Sequence, residues 1–331
     1  MIQKVEIRNF KSVRELVLSC KRINVFIGEP NTGKSNILET FGMFSFVGCY
    51  SHGSDSLKQF VRFESTSNLF YDEILDEAIE MRLDEDVLNM TFGNGQFRGI
   101  FKVGEGEKAS ISATLDGQHD DMRVSAIQNP RRFGSVKFYR FDERLVTFDR
   151  REAEFLLPPS GSNLMSLLLG HKDLRRMAND IFAKYGLKVN VRPQENKIEI
   201  MKQAEDITVT YPYSLASDTL KRIIFHLAAI LSNKDSTLVF EEPESHAFPY
   251  YTKQLAETIA LDSRGNQYFV STHNPYFLLP LLEKAPKQDV AVFVTYYEDH
   301  QTRCKPLSET EMQQVTEIDI FSNLDKFLDI R

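Results

Sequence analysis

The chain has no tryptophan, three cysteines and no long apolar run, and each shortage removes a class of protein. Cys20, Cys49 and Cys304 are scattered without the spacing of a metal site, and an odd count argues against a disulfide framework. A reducing compartment suits such a chain. No apolar stretch approaches the roughly 18 residues that a membrane span needs. The opening Met1-Ile2-Gln3-Lys4 runs straight into a strand-like pattern with no signal-peptide core. A soluble, cytoplasmic protein with no membrane partner is therefore expected. Positive charge is also short: 40 Lys and Arg stand against 47 Asp and Glu, a net charge of −7. That disfavours gripping DNA through overall charge while leaving room for a local basic groove. There is no internal repeat and no heptad array.

What remains is a globular composition, 42% hydrophobic and 26% charged, over 331 residues, enough for one large or two interleaved domains. Residues 2–27 read as short strands, and Ile23-Asn24-Val25-Phe26-Ile27 is a buried-strand run. A helical pattern follows, with Ile37, Leu38, Phe41 and Phe44 on one face. From about 60 to 145, strand candidates alternate with the turn signals Gly93-Asn94-Gly95, Gly104-Glu105-Gly106 and Asp116-Gly117, which predicts an inserted antiparallel region. Residues 150–190 read as a helical lobe, and 197–201 with 207–211 as a hairpin. An apolar helix over 218–231, a strand at 237–240, a helix at 249–261 and a strand at 268–271 follow. The expected fold is α/β, with a mainly parallel core sheet built from 1–50 and 205–300 and helices on both faces. The whole of 1–331 would form one unit.

Gly28-Glu29-Pro30-Asn31-Thr32-Gly33-Lys34-Ser35 fits G-x-x-x-x-G-K-[ST] in full, between a strand and a helix. Glycines let the backbone curl so that its N–H groups face phosphate oxygens. The helix presents its positive end to the same anion. Gly28, Asn31, Thr32, Gly33, Lys34, Ser35 and Asn36 are thus the candidate ATP-binding residues, with Lys34 on the β- and γ-phosphates and Ser35 on Mg2+. Thr237-Leu238-Val239-Phe240-Glu241-Glu242-Pro243 ends an apolar strand in two carboxylates. Alone it equally fits a solvated acidic turn before proline. After a phosphate loop it suits Glu241 as a metal ligand and Glu242 as the residue that positions water. Val270-Ser271-Thr272-His273-Asn274-Pro275 brings His273 to the end of another strand, where it could meet the γ-phosphate.

In this order the elements resemble the ABC-type ATPase heads of the RecF, SMC and OLD group. Ile7-Arg8-Asn9-Phe10-Lys11-Ser12 looks like their I-x-N-F-x-S opening. Glu241-Glu242-Pro243-Glu244-Ser245-His246-Ala247-Phe248-Pro249 is similar to their E-E-P-E-x-H-L-H-P stretch, and Ser271-Thr272-His273-Asn274-Pro275 to their switch-histidine motif. The resemblance implies a P-loop NTPase of ABC-head type that hydrolyses ATP with Mg2+ in a head-to-tail homodimer, each nucleotide also touching a signature segment of the opposite subunit. That segment would be Tyr213-Ser214-Leu215-Ala216-Ser217-Asp218-Thr219, with Ser217 capping its helix. Asp218 and Thr219 stand where the signature glycine is expected, and Phe248 replaces a histidine. The family's metal-binding glutamine is not identifiable; Gln128 is a candidate, although a loop glutamine without that role fits better.

The roughly fifty residues after the His273 motif carry no acidic nuclease cluster, and no coiled-coil arm is present. An OLD-like head without a nuclease is therefore expected, acting as an ATP-controlled switch on a separate effector such as a nuclease, in DNA maintenance or anti-phage defence. The alternative is an ATP-bound scaffold with negligible turnover. A small-molecule kinase fits the loop but not the paired carboxylates and histidine. Arg131-Arg132, Arg150-Arg151 and Arg175-Arg176 with Lys172 are the basic clusters, and solvated surface charge is their simpler reading.

Overall fold

The computed structural model describes residues 1–49, 56–103, 107–114, 123–125, 134–145, 147–149, 154–315 and 317–328. Among them the chain forms three sheets. The central one has six strands: β3 (Ile23–Gly28), β9 (Val136–Tyr139), β13 (Thr237–Glu241), β14 (Gln267–Ser271), β15 (Val290–Glu298) and β16 (Gln301–Pro306), in the order β16-β15-β3-β14-β13-β9. Every pairing is parallel except β15 with β16. Phosphate-loop, acidic and histidine strands are therefore neighbours, and all three end at the same edge.

The inner strands β3, β13 and β14 are buried almost throughout, as parallel strands usually are, so the sheet is apolar on both faces there. Alternate residues serve two different cores. Val25, Ile27, Leu238, Phe240, Tyr268 and Val270 join one cluster, and Phe26, Val239, Phe269 and Phe293 the other. The first packs on α3 (Leu164–Gly170), α4 (Lys172–Ala183), α5 (Asp218–Ser232), α6 (Pro249–Ala260) and α7 (Pro275–Lys284). The second packs on α1 (Lys34–Cys49) and α2 (Leu57–Phe60), with Phe41 4.2 Å from the Phe269 ring and Phe26 stacked 5.2 Å from Phe293. Phe41→Ala would cost about 3–5 kcal/mol at such a site.

The second sheet is antiparallel, in the order β2-β1-β4-β5-β6-β7-β8: β1 (Lys4–Phe10), β2 (Val13–Ser19), β4 (Ile79–Leu83), β5 (Asp86–Gly93), β6 (Gln96–Val103), β7 (Glu107–Thr114) and β8 (Arg123–Ser125). The β5–β6 hairpin turns on Asn94 and Gly95, both at positive φ as a two-residue turn demands. The third sheet joins β10 (Leu187–Arg192), β11 (Lys197–Ala204) and β12 (Ile207–Pro212).

Three placements depart from the sequence expectation. Residues 4–19 belong to the antiparallel sheet, because β1 exposes one face and lays Val5, Ile7 and Phe10 on the second core. β9, inside the expected insertion, instead forms the edge of the central sheet beside β13. The helical lobe ends in strand β10, which extends the predicted 197–211 hairpin to three strands.

Candidate functional site

Two glycines give the loop after β3 its shape. Gly28 (φ +151°) lies so close to β15 that a Cβ would meet the Thr295 carbonyl oxygen at 2.3 Å, and at Gly33 (φ +91°) a Cβ would meet Thr302 Oγ1 at 2.0 Å. The neighbours they admit also tie the loop down. Thr295 Oγ1 donates to the Ile27 carbonyl (3.0 Å) and lies 2.8 Å from Thr32 Oγ1, which donates to the Glu29 carbonyl (2.8 Å). Thr302 Oγ1 lies 2.7 Å from Ser12 Oγ, which accepts from Asn36 Nδ2 at 2.7 Å. The first turn of α1 carries no acidic residue, so its positive end is left for an anion. Lys34 Nζ donates to the Gly28 (2.9 Å) and Glu29 (2.7 Å) carbonyls. Burial pushes its ammonium down to about 8, while Glu242, Glu241 and Glu29 pull it back toward the charged form.

The paired carboxylates have separate environments. Glu241 Oε1 accepts from Arg62 (2.7 Å) and Oε2 from Arg140 (3.3 Å), and the Ser35 hydroxyl also bonds this side chain. Burial raises its carboxyl, but Arg62, Ser35 and Arg140 outweigh that and hold it below the usual carboxylate range. Both arginines also reach Glu39 Oε1, at 2.8 and 3.2 Å, and Lys11 pairs with the other Glu39 oxygen. Glu39 has no exposed side chain, so this cluster is fixed from inside α1. Glu242 takes φ +43° just past the strand, its N–H donating to the Ser271 carbonyl (3.1 Å). Its Oε1 accepts from His273 Nε2 at 2.7 Å and its Oε2 from Ser245 at 3.1 Å.

A cavity of about 440 Å³ gathers Asn31, Gly33, Lys34, Ser35 and Asn36 with Glu242 and His273. Gly28, Thr32 and Glu241 do not line it; the first two belong to the loop that does, and Glu241 adjoins it through Ser35. Lys11, Ser12 and Arg62 also line it, and the sequence reading assigned none of them to the site. Ser35 and Glu241 offer the hard oxygens that Mg2+ prefers. Among the described residues no group of three or more acidic, His or Cys side chains could hold a metal alone, so such an ion would need phosphate oxygens as well.

Ser217 lies elsewhere, in a groove of about 530 Å³ with Leu215, Thr219 and Phe248. It occupies the N-cap position of α5, but its side chain makes no capping bond, which corrects the expected cap. The Ser217 carbonyl accepts the first intrahelical bond, from Lys221 N at 3.0 Å. Asp218 pairs with Lys221 Nζ at 2.8 Å, so the acid that replaces the signature glycine is neutralised. Thr219 Oγ1 donates to the His246 carbonyl at 2.9 Å.

Gln128, Arg131, Arg132, Arg150 and Arg151 lie outside the described residues. The side chain that leaves the end of β9 toward Glu241 is Arg140. Arg175 donates to the Leu168 and Leu169 carbonyls at the end of α3, a structural use for one of the basic cluster.

The chain resembles known proteins. A family model described as "AAA domain, putative AbiEii toxin, Type IV TA system" matches residues 23–279. The chain is similar to a Helicobacter pylori protein named ATP/GTP phosphatase, 20% identical over 379 residues that span 99% of this chain and 98% of that protein. It is also similar to the Clostridium tetani DNA replication and repair protein RecF, 23% identical over 261 residues, 72% of this chain and 68% of that one. Among solved structures, an SMC head bound to the C-terminal winged-helix domain of ScpA superposes with a TM-score of 0.53 at 14% identity, over 94% of this chain and 99% of that one. A second SMC head, with an extended coiled coil and the C-terminal domain of ScpA from Pyrococcus furiosus, gives 0.53 at 13% identity, over 96% and 98%. At these identities the superpositions show a shared fold.

Proposed function

The chain belongs to this family of AAA domains and is an ABC-type P-loop ATPase of the RecF/SMC group, and from that premise we propose that ATP is hydrolysed in the 440 Å³ cavity by Glu242 and His273. The observation that carries the assignment is the 2.7 Å bond between those two side chains in the cavity that also holds Lys34. The loop N–H groups and Lys34 would bind the β- and γ-phosphates and stabilise the charge that spreads over the transferred group. Glu242 would orient the attacking water and take up its proton, and His273 would hold that carboxylate while facing the γ-phosphate. Ser35 and Glu241 would hold Mg2+, whose chemistry when bound is to neutralise phosphate charge.

Lys34→Ala is expected to abolish ATP binding, and Glu242→Gln to keep binding while lowering turnover by ~100-fold or more. Calorimetry and phosphate release measure the two. Hydrolysis by Glu242→Gln at the wild-type rate would sink the assignment.

We further propose a head-to-tail homodimer in which Ser217 meets the partner's nucleotide, and a cytoplasmic switch that acts on a separate effector, such as a nuclease, in DNA maintenance or anti-phage defence. The placement of Ser217 outside its own chain's cavity supports the first point, and the family and the RecF likeness support the second. Sedimentation of Glu242→Gln with and without ATP tests the dimer; a mass that never changes argues against it. One observation favours the scaffold alternative: both Glu241 oxygens are engaged by arginines, which a metal would have to displace. Stoichiometric bound nucleotide with negligible turnover would decide for the scaffold.

A further inference from the structure

A third carboxylate, Glu244, is buried in the turn after β13, with 5% of its surface exposed. It does not line the nucleotide cavity. Its Oε1 accepts from the Thr272 hydroxyl and, at 3.4 Å, from the His273 N–H. The same Thr272 oxygen accepts from Asn274 N at 3.0 Å, and the Asn274 side chain caps α7 through Tyr276 N at 2.8 Å. One carboxyl thus braces three successive residues, with His273 in the middle. Its second oxygen, Oε2, is buried with no hydrogen-bond partner. The charged groups around it are Glu242 on its own turn, His273 on the facing loop and Arg222 on α5, whose Nε is also buried without a partner.

An acid is a costly choice for packing alone. Burial, reinforced by the Glu242 charge, raises this carboxyl to about 7, against the pull of its Thr272 and His273 donors. An amide or an aliphatic residue would fill the space at lower cost. We propose that Glu244 is a positioning residue for hydrolysis: it fixes the backbone of 272–274 from beneath and so aims the His273 imidazole at Glu242. This rests on the reading of Glu242 and His273 as the hydrolytic pair.

The test compares Glu244→Leu, Glu244→Gln, His273→Ala and the double variant Glu244→Leu/His273→Ala in the full chain. ATP affinity, kcat, KM and the pH–rate profile are measured, with thermal melting as the folding control. Glu244→Leu is expected to lower kcat ~10–100-fold while ATP affinity and KM stay within about twofold. The double variant should be no slower than His273→Ala, since one contact is lost only once. Glu244→Gln keeps an acceptor, so it should lose less activity and lose any inflection near pH 7. Equal losses from Glu244→Leu with and without His273 would overturn the proposal, as would an unchanged kcat beside a lowered melting temperature. If Glu244→Leu does not fold, the inflection and the KM of Glu244→Gln decide. His273→Ala at the wild-type rate would instead remove the hydrolytic pair, and this proposal with it, a result distinct from a failure of Glu244 alone.

Discussion

The phosphate loop and the segment around Ser217 both lead into a helix N-terminus, yet they are held in different ways. Residues 28–36 are gripped from outside: Thr295 bonds to Thr32, Ser12 bonds to Asn36 and is itself held by Thr302, and two glycines let Thr295 and Thr302 come close. The Ser217 segment is tied by the Asp218–Lys221 pair and by one outside bond, Thr219 to the His246 carbonyl, and it stands beside exposed apolar side chains, Leu215 at 71% and Phe248 at 65%. A site that must bind ligand alone is rigid in one chain. Under the proposed dimer, the Ser217 surface is completed by a second molecule and can stay open.

The contrast can be broken most severely at Gly33. Gly33→Ala puts a methyl group on Thr302 at a backbone angle that side chains rarely adopt, so ATP affinity should fall by ~100-fold or more in calorimetry. Retention within tenfold would mean that Thr302 on β16 does not fix the loop. Thr302→Val removes one bond to Ser12 and leaves the fold, costing ~0.5–1.5 kcal/mol in denaturant unfolding, with ATP affinity weakened more than stability if the tie serves the loop.

A pH series sharpens the same contrast from the acidic turn. Because the folded-state pKa of Glu244 is raised to about 7 from 4.5, the folded chain keeps a proton that the unfolded chain has released between those values. Its contribution to stability therefore falls as pH rises from 4.5 to 7 and is flat above. The melting temperature of Glu244→Gln relative to wild type should climb from pH 5 to pH 8, and a constant difference would refute the raised pKa. The smallest effect belongs to Ser217→Ala. With no capping bond to lose, it should change monomer stability by less than about 0.5 kcal/mol. A change in ATP-dependent mass would then report the partner contact by itself.

The phosphate loop was legible in the sequence because its chemistry is contiguous, one residue type after another. Glu242 and His273 were legible as strand ends, since parallel neighbours deliver their last residues to one edge. Their direct bond was not, because it depends on the positive φ of Glu242. Arg62, Arg140 and Glu39 were missed for a related reason: each is an ordinary charged residue until the fold brings it to Glu241, and no local pattern marks the pairing. The first two strands were assigned to the wrong sheet because alternation tells which face is buried and not which strand lies beside it. The expected Ser217 cap failed at the level of a single rotamer, below what residue type can specify.

The grip on the phosphate loop has a consequence for the order of events during synthesis. Thr32 meets Thr295 across 263 residues of chain, and β3 lies between β14 and β15. At roughly 5–20 residues per second, tens of seconds pass between the emergence of the loop and that of the strands that shape it. Through that interval the nucleotide motif is present as a sequence but not as a pocket, and the nascent chain must wait with its central strand uncovered. ATP can therefore act as a late ligand that seals a nearly finished molecule, rather than as a template for an early one.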